Sequence, residues 1–301
     1  MKIVVAGISG LEPEQIERLK KLGDVSFFTE PAKSKEEKLS RLKDADVICG
    51  ETEPIVEVIY ELKDKLISFP FVGVGWLDLE KLAKNNVKIA NAPGCNKIAV
   101  SEWILAMMLI ISRKLTKYIG IKEIAENEVM EDIPGLARKN VTILGKGNVG
   151  SRLGKLCEAF DMKVSYFGRN TNLLDAIKNA DFVVNCLAHN KETEGLLNET
   201  FFTSLKNGVF FISITDTEIY DKKSLFKSLD SGKIARAAID PAGASIFDAT
   251  NDFYKELLTH PKIITTPHIA FHTETTIRTA NEIMIDNAEA WVNGKPINVV
   301  N

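Results

Sequence analysis

Short apolar runs alternate with segments of helical spacing along nearly the whole chain, and this alternation constrains the fold more than any other feature. The first apolar runs are Lys2–Ala6, Val25–Phe28 and Asp46–Cys49, and helical segments at Pro13–Leu22 and Lys35–Lys43 separate them. Strands joined through helices pair in parallel, because the returning helix brings the chain back to the same end of the sheet. The chain is therefore predicted to be α/β, with parallel sheets covered by helices on both faces.

The alternation occurs in two series, and 301 residues are enough for two domains. The first series continues with predicted helices at Val56–Lys63 and Leu79–Asn85 and predicted strands at Leu66–Val72 and Val87–Ala90. The second series has predicted strands at Val141–Leu144, Lys163–Phe167, Phe182–Leu187, Val209–Ile214, Ile234–Ile239 and Ile263–Thr266. One long apolar helix, Ala99–Tyr118, and a polar connection, Ile119–Arg138, are predicted between the series, and a last helix covers Thr275–Trp291.

Composition excludes several classes of protein. The 38 basic and 41 acidic side chains leave a net charge of −3, so a nucleic-acid partner is not expected. The most apolar run, Trp103–Ile111, is too short to cross a bilayer, and the first residues lack the pattern of a signal peptide. The four cysteines are far apart and show no metal-ligand spacing, which is typical of reduced thiols. We therefore expect a cytoplasmic protein with no membrane partner and no metal.

A glycine-rich loop follows the first strand of the second series. It reads Gly145-Lys146-Gly147-Asn148-Val149-Gly150 and leads directly into a helical segment. In a dinucleotide-binding loop, the first glycine permits the tight turn, the second admits the pyrophosphate and the third allows close packing of the helix. Gly145, Gly147, Asn148, Val149 and Gly150 are therefore predicted to bind a dinucleotide, the alternative being a purely structural turn.

The end of the next strand bears on which dinucleotide is bound. An enzyme specific for NAD(H) normally carries Asp or Glu there, to bind the ribose 2′-hydroxyl. Here the strand ends in Gly168-Arg169-Asn170, with no acidic residue. An arginine can instead pair with the 2′-phosphate of NADP(H). The three residues therefore predict a site that prefers NADP(H), with NAD(H) possible, unless Arg169 is simply a solvated turn residue.

Several motifs, in order and at matching spacing, resemble the D-2-hydroxyacid dehydrogenases. They are Asn91–Asn96 with Val100–Glu102, Glu192–Asn198, Ser231–Ala235, Ala238–Asp240 and Thr266–Ala270. The resemblance implies two doubly wound parallel-sheet domains with an active site in a cleft. A flavodoxin-like substrate domain would comprise residues 1–95 and 273–301, and a Rossmann dinucleotide-binding domain residues 96–272. It also implies a homodimer.

The resemblance also implies roles for individual residues. His268, in Thr-Pro-His, matches the family's general acid. Asp216 stands where the family has the arginine that binds the substrate carboxylate, and Ser245 is nearest to the position of the glutamate that orients the histidine. The substrate would contact Gly73, Val74, Gly75 and Asn96. Leu187, Thr193, Ile214 and Asp240 would complete the cofactor site.

Asp216 and Ser245 depart from the family's pattern, so the identity of the substrate stays open. An anionic substrate would lose its arginine and meet a like charge at Asp216, unless another cation (Lys97, Arg236 or Arg278) binds it. Alternatively, Asp216 orients His268, or the substrate carries a hydroxyl or an amine in place of the carboxylate.

The predicted function is hydride transfer between NADP(H) and a small 2-oxo or 2-hydroxy acid or a related carbonyl compound. One alternative is a catalytically silent nucleotide-binding regulator on the same fold. An enzyme using this two-domain frame in the manner of adenosylhomocysteinase is a further alternative, although the chain lacks that enzyme's length.

Overall fold

A computed structural model describes residues 1–119, 133–215, 217–242 and 251–301 of the chain. The chain divides into two compact units, Met1–Asn96 with His272–Asn301, and Lys97–Phe271. The crossings predicted from the resemblance, after Cys95 and after His272, each differ from this division by one residue. Each unit contains one parallel sheet with helices on both faces, which confirms the predicted α/β class.

The first unit contains a five-stranded parallel sheet among the residues described. Its strands are β1 (Lys2–Ala6), β2 (Asp24–Phe28), β3 (Val47–Gly50), β4 (Lys65–Ser68) and β5 (Val87–Ala90). Its helices are α1 (Pro13–Leu22), α2 (Lys35–Leu42), α3 (Thr52–Ile55), α4 (Leu79–Lys84) and, at the end of the chain, α12 (Glu274–Val292). The strand order β2-β1-β3-β4-β5 is that of flavodoxin, as the predicted fold class requires.

Alternation of side chains along the strands divides the core of this unit into two layers. Ile48 and Ile67 point to the face covered by α2, α3 and α4. Val47 and Leu66, one position earlier on the same strands, point to the face covered by α1 and α12. All four side chains are buried, so both faces of the sheet are closed.

Among the described residues, the second unit contains a six-stranded parallel sheet of order β11-β10-β9-β8-β6-β7. Its strands are β6 (Asn140–Leu144), β7 (Lys163–Phe167), β8 (Phe182–Asn185), β9 (Val209–Ser213), β10 (Ile234–Ile239) and β11 (Ile263–Thr265). Its helices are α5 (Lys97–Ser112), α6 (Leu115–Tyr118), α7 (Asn148–Ala159), α8 (Leu173–Ile177), α9 (Glu199–Ser204), α10 (Lys222–Asp230) and α11 (Asp252–Thr259). Helices α5 and α7 pack on one face, and α8 to α11 on the other.

This sheet has the doubly wound arrangement of a Rossmann domain, with one difference from the usual dinucleotide-binding order. That order places a third strand outside the second one. Here β7 is the edge strand, and only the short helix α8 lies between β7 and β8. The segment is too short for a helix, a further strand and a second crossover. The chain nevertheless turns from β6 to β7 on one side and to β8 on the other, which creates the switch point.

Three predicted boundaries are wrong. The helix expected at Val56–Lys63 begins earlier, as α3, and continues only as a 3-10 turn at Ile59–Glu61. Its run of β-branched side chains has low helix propensity. The helix expected to reach Tyr118 is divided into α5 and α6, because Lys114 adopts a left-handed φ of 51°. The strand expected to reach Val72 ends at Ser68.

The last helix closes the first unit by packing beside the first helix. Arg18 of α1 forms ion pairs with Glu282, Asp286 and Glu289 of α12, the last two at 2.8 and 2.6 Å. Asn287 of the same helix is buried and donates to Ser68 Oγ at 3.1 Å. The ion pairs join helices from opposite ends of the sequence, and the Asn287 hydrogen bond joins α12 to the end of β4.

No helix in the described ranges combines the length and the apolarity needed to span a membrane.

Candidate functional site

Most of the predicted cofactor residues lie along one edge of the second sheet. In a parallel sheet all carboxyl ends lie on the same edge, and ligands bind outside that edge at the switch point. Here the switch point lies between β6 and β8, which pair with each other. The glycine loop follows β6, and Leu187 follows β8, so the structure brings these two segments together.

Two glycines of the loop are required by the packing of the protein itself. Gly145 has a φ of +98°, and a Cβ there would lie 2.9 Å from the carbonyl oxygen of Cys186. A Cβ on Gly150 would lie 2.0 Å from the carbonyl oxygen of Gly145, so only glycine lets α7 begin this close to β6. The loop and the helix are thereby held against the strand ends.

The middle glycine is different, because nothing lies within 4 Å of a Cβ built on Gly147. Gly147 is the residue before α7, and exposed Asn148 and half-buried Val149 form the first turn of that helix. The first backbone N–H groups of a helix have no partner within the helix, and they favour an anion. The open space beside Gly147 therefore fits the close approach of a pyrophosphate.

The turn after β7 lies directly beside the glycine loop. The Gly145 N–H donates to the carbonyl of Phe167 at 3.0 Å. Gly168 is fixed by Thr171, whose Oγ1 accepts from the Gly168 N–H at 2.8 Å and donates to its carbonyl at 2.9 Å. Arg169 and Asn170 at the tip of this turn are exposed. The turn thus presents a cation at the predicted position of the ribose.

A buried polar cluster joins the ends of β8 and β9, and sequence reasoning missed it. Asn185 Nδ2 donates to Ser213 Oγ at 3.2 Å and to Thr215 Oγ1 at 2.8 Å. Its Oδ1 accepts from the Leu187 N–H at 3.2 Å, and half-buried Ile214 lies between the two hydroxyl residues. All three polar side chains of the cluster are buried. The only available signal was an asparagine ending an otherwise apolar strand.

Asp240, predicted to bind cofactor, uses both carboxylate oxygens within the protein. One oxygen accepts from Thr266 Oγ1 at 2.5 Å and from the Ile269 N–H at 2.9 Å. The other accepts from the Ala270 N–H at 2.9 Å. The side chain is buried at the end of β10, so the carboxylate fixes the loop that follows β11.

His268 lies in the middle of that loop. It is half-buried and has a left-handed φ of 54°, a conformation that few non-glycine residues adopt. Its ring packs edge-on against Phe271, with 5.1 Å between centroids. Because Asp240 binds residues on both sides of His268, the imidazole is held at the same edge of the sheet as the glycine loop.

Of two further side chains near this edge, Thr193 is hydrogen-bonded within its own turn and Cys186 is protonated. Thr193 Oγ1 donates to the carbonyl of Ala188 at 2.7 Å and accepts from the Asn190 N–H at 2.9 Å, so it stabilises its own turn. Desolvation raises the pKa of Cys186 to about 12, so this thiol stays protonated at neutral pH and is not a nucleophile.

The remaining predicted residues lie outside the described ranges or belong to the first unit. Asp216 and Ser245 lie outside the described residues. Gly73, Val74 and Gly75 follow β4, and Asn96 follows β5, in the first unit. Val74 is buried in the core of that unit, so its side chain serves packing.

The three candidate cations also differ in position. Lys97 is exposed at the start of α5, and half-buried Arg236 lies within β10, before its carboxyl end. Arg278 pairs with Glu12 at 3.3 Å in the first unit. Among the described residues, no group of three His, Cys, Asp or Glu side chains could hold a metal ion.

The fold and the glycine loop are those of a dinucleotide-binding protein, and comparison with known proteins gives the family. The family model for the D-isomer specific 2-hydroxyacid dehydrogenase, NAD binding domain, matches residues 105–270, more than half of the chain. The chain therefore belongs to the D-2-hydroxyacid dehydrogenase family. It is an oxidoreductase of that type, acting on CH–OH groups with a nicotinamide dinucleotide.

Individual relatives are distant but cover the whole chain. The chain is 26% identical to hydroxypyruvate reductase of Blautia hydrogenotrophica, over 100% of both proteins. It is 28% identical to D-3-phosphoglycerate dehydrogenase of Archaeoglobus fulgidus, but spans only 59% of that longer protein. An acyclic imino acid reductase solved with NADPH and D-Arg has a similar fold, with a TM-score of 0.84, 21% identity and full coverage of both chains. The alternative of a catalytically silent regulator is not favoured by these matches.

Proposed function

We propose that the protein is an NADP(H)-preferring reductase of a small 2-oxo acid, with His268 as the general acid. The observation that carries the proposal is the Asp240 carboxylate, which binds Thr266 before His268 and Ile269 and Ala270 after it, at the edge where the glycine loop lies. The family relatives named as hydroxypyruvate reductase and phosphoglycerate dehydrogenase support a hydroxy-acid substrate.

The chain's own residues supply binding, orientation and a proton. Gly147 and the first turn of α7 would bind the pyrophosphate, and Leu187 and Ile214 would line the nicotinamide side of the site. When bound, the reduced nicotinamide supplies a hydride. His268 would protonate the carbonyl oxygen of the substrate as the C–H bond forms, in the role of a general acid. Asp240 would keep the imidazole oriented.

The preference for NADP(H) is supported by the turn after β7. Arg169 is exposed there, and Gly168-Arg169-Asn170 contains no carboxylate that would bind a 2′-hydroxyl or repel a 2′-phosphate. NAD(H) would then bind in the same place without this charge-assisted contact, and therefore more weakly.

The substrate side of the proposal rests on the sequence. Gly73, Val74, Gly75 and Asn96 would contact substrate from the first unit, which would serve as the substrate domain while the second unit binds cofactor. Asp216 occupies the position of the family's arginine, so the proposed substrate includes carbonyl compounds whose far end is a hydroxyl or an amine. The imino acid reductase of similar fold makes an imine a sensible member of any substrate panel.

A cytoplasmic homodimer is also part of the proposal. Helix α5 is apolar around its circumference from Trp103 to Ile111, and its Trp103, Leu105, Met107 and Leu109 are only half-buried. Trp103 Nε1 is buried without a hydrogen-bond partner among the described residues. A second copy packed against this face would cover the apolar side chains.

The experiment is reduction of glyoxylate, hydroxypyruvate, short aldehydes and an imine formed from a 2-oxo acid with ammonia, using NADPH and NADH. We expect turnover with at least one 2-oxo compound, and we expect His268→Gln to lower kcat by about 10²–10⁴-fold with little change in NADPH affinity. His260→Gln is a matched control, because His260 lies before β11, at the end of that strand opposite His268, and its Nε2 pairs with Asp230 at 3.4 Å.

Binding of NADPH without turnover of any panel member would favour the silent regulator. An unchanged kcat in His268→Gln, with turnover in the parent protein, would assign the proton to another group.

A further inference from the structure

Besides Arg169 in the turn after β7, the site has a cation in the glycine loop that the proposed function does not use. Lys146, between Gly145 and Gly147, is exposed, and its Nζ lies 4.8 Å from the centroid of the Tyr166 ring. Tyr166 belongs to β7, the strand that ends at Gly168 and Arg169. The cation–π contact therefore draws the ammonium from the β6 side of the loop toward the neighbouring strand.

Sheet register places this ammonium and Arg169 on two adjoining segments. Ile143 pairs with Tyr166 and Leu144 with Phe167, and the Gly145 N–H continues the pairing to the Phe167 carbonyl. The glycine loop and the turn after β7 thus leave the sheet side by side. A dinucleotide in such a fold places its adenosine ribose between these two segments.

Charge makes the two cations suitable for an anion. The ion pairs of the described residues on this part of the sheet involve Arg152 and Lys178, and neither Lys146 nor Arg169. A phosphate monoester carries about −1.5 to −2 charges near pH 7, which two cations neutralise better than one. The Tyr166 ring contacts the Lys146 ammonium from one side, and an ammonium has three N–H groups, so others can donate to an anion.

We propose that Lys146 and Arg169 together bind the 2′-phosphate of NADPH, and that Lys146 is a specificity-determining residue for the cofactor. The inference rests on the proposed preference for NADP(H) and adds a contact from the glycine loop. Arg169 approaches the phosphate from the turn after β7, and Lys146 approaches it from the loop after β6.

The test measures dissociation constants of the full chain for NADPH, NADH, 2′,5′-ADP and 5′-AMP by calorimetry. The last two ligands differ only by the 2′-phosphate. We expect Lys146→Met to weaken NADPH and 2′,5′-ADP by about tenfold and to leave NADH and 5′-AMP within about twofold. Lys163→Met is the matched control, because Lys163 is exposed at the opposite end of β7. Melting curves establish that each variant is folded.

Three other results would overturn the inference, and each has a different meaning. Equal losses for NADPH and NADH would place Lys146 on the pyrophosphate. If Arg169→Met loses the preference for NADPH and Lys146→Met keeps it, the proposed preference of the parent protein stands. Only the proposed contact from Lys146 is then excluded. Equal binding of NADPH and NADH by the parent protein would defeat both the preference and the lysine contact.

Discussion

A single buried carboxylate, Asp240, determines where the proposed general acid lies. It accepts one hydrogen bond from the Thr266 hydroxyl, two positions before His268, and two from the N–H groups of Ile269 and Ala270, which follow His268 directly. Hydrogen bonds to an ionised acceptor are stronger than neutral ones, and a buried N–H that loses its partner costs about 1–3 kcal/mol. The left-handed φ of His268 is held by these contacts rather than by local preference.

At this scale we predict the effect of Asp240→Asn, which preserves shape but replaces one acceptor oxygen with a donor. One of the two backbone N–H groups then faces an NH₂ group, so the loop shifts. We expect kcat to fall by about 10²-fold, since misplacement of a reacting group by about 1 Å has that effect. The affinity for NADPH should stay within about threefold of the parent value. Steady-state kinetics and cofactor titration measure both quantities.

Asp252→Asn is the control, because the Asp252 side chain is 98% exposed and pairs with Lys255 of the same helix. A variant that keeps its kcat but binds NADPH more weakly would show that Asp240 serves the cofactor and not the histidine.

At the scale of elements, the loop between β6 and α7 contains glycines that are required for two different reasons. Gly150 is required by packing, because a Cβ would overlap the carbonyl oxygen of Gly145 at 2.0 Å. Gly147 has open space beside it and a φ of −80°, which any residue adopts. The fold therefore demands the last glycine, whereas only a bound ligand would demand the middle one.

We predict opposite outcomes for two alanine variants of this loop. Gly150→Ala should lower the free energy of unfolding by about 3 kcal/mol or more, because α7 must move away from β6. Gly147→Ala should change it by less than about 0.5 kcal/mol and weaken NADPH binding at least about tenfold. Urea denaturation and cofactor titration distinguish them. Parent-like NADPH affinity in Gly147→Ala would mean that the pyrophosphate does not approach this residue.

At the scale of the whole molecule, the first unit depends on contacts between the two ends of the chain. Arg18 binds three carboxylates of α12, and hydrogen bonds to Asp286 and Glu289 raise the pKa of its guanidinium above its ordinary value. Without the arginine, those three carboxylates would lie close together with no cation between them. The last helix would then pack less firmly on the unit to which it returns.

For this closure we predict that Arg18→Leu lowers the free energy of unfolding by about 1–2 kcal/mol, a discounted value because the side chain is one-third exposed. Lys20→Leu, on the same helix, removes only the exposed pair with Glu17 and should cost less than about 0.5 kcal/mol. The Arg18 effect should shrink in 0.5 M salt, which screens the pairs. Urea denaturation at two salt concentrations measures this. Equal losses of unfolding free energy in the two variants would contradict a stabilising role for the Arg18 ion pairs.

Local patterns along the chain were sufficient to predict the two α/β series, most strand positions and the glycine loop. Apolar runs and helical spacing are properties of neighbouring residues, so they can be recognised without knowing what packs where. The failures occurred where local preference was weak, as in the β-branched run around Val58, or where one residue such as Lys114 interrupted a helix. The roles of Asp216 and Ser245 stay predictions.

The sequence by itself determined the class of fold, the order of the elements and the place of a dinucleotide site. Only the tertiary structure decided which side chains meet at that site. Asn185 meets Thr215, and Asp240 meets Ala270, across sequence separations of 30 residues in each case. Lys146 meets Tyr166 in the same way. These contacts follow from strand register, which is set by packing of the whole sheet, and no neighbouring residue in the sequence specifies them.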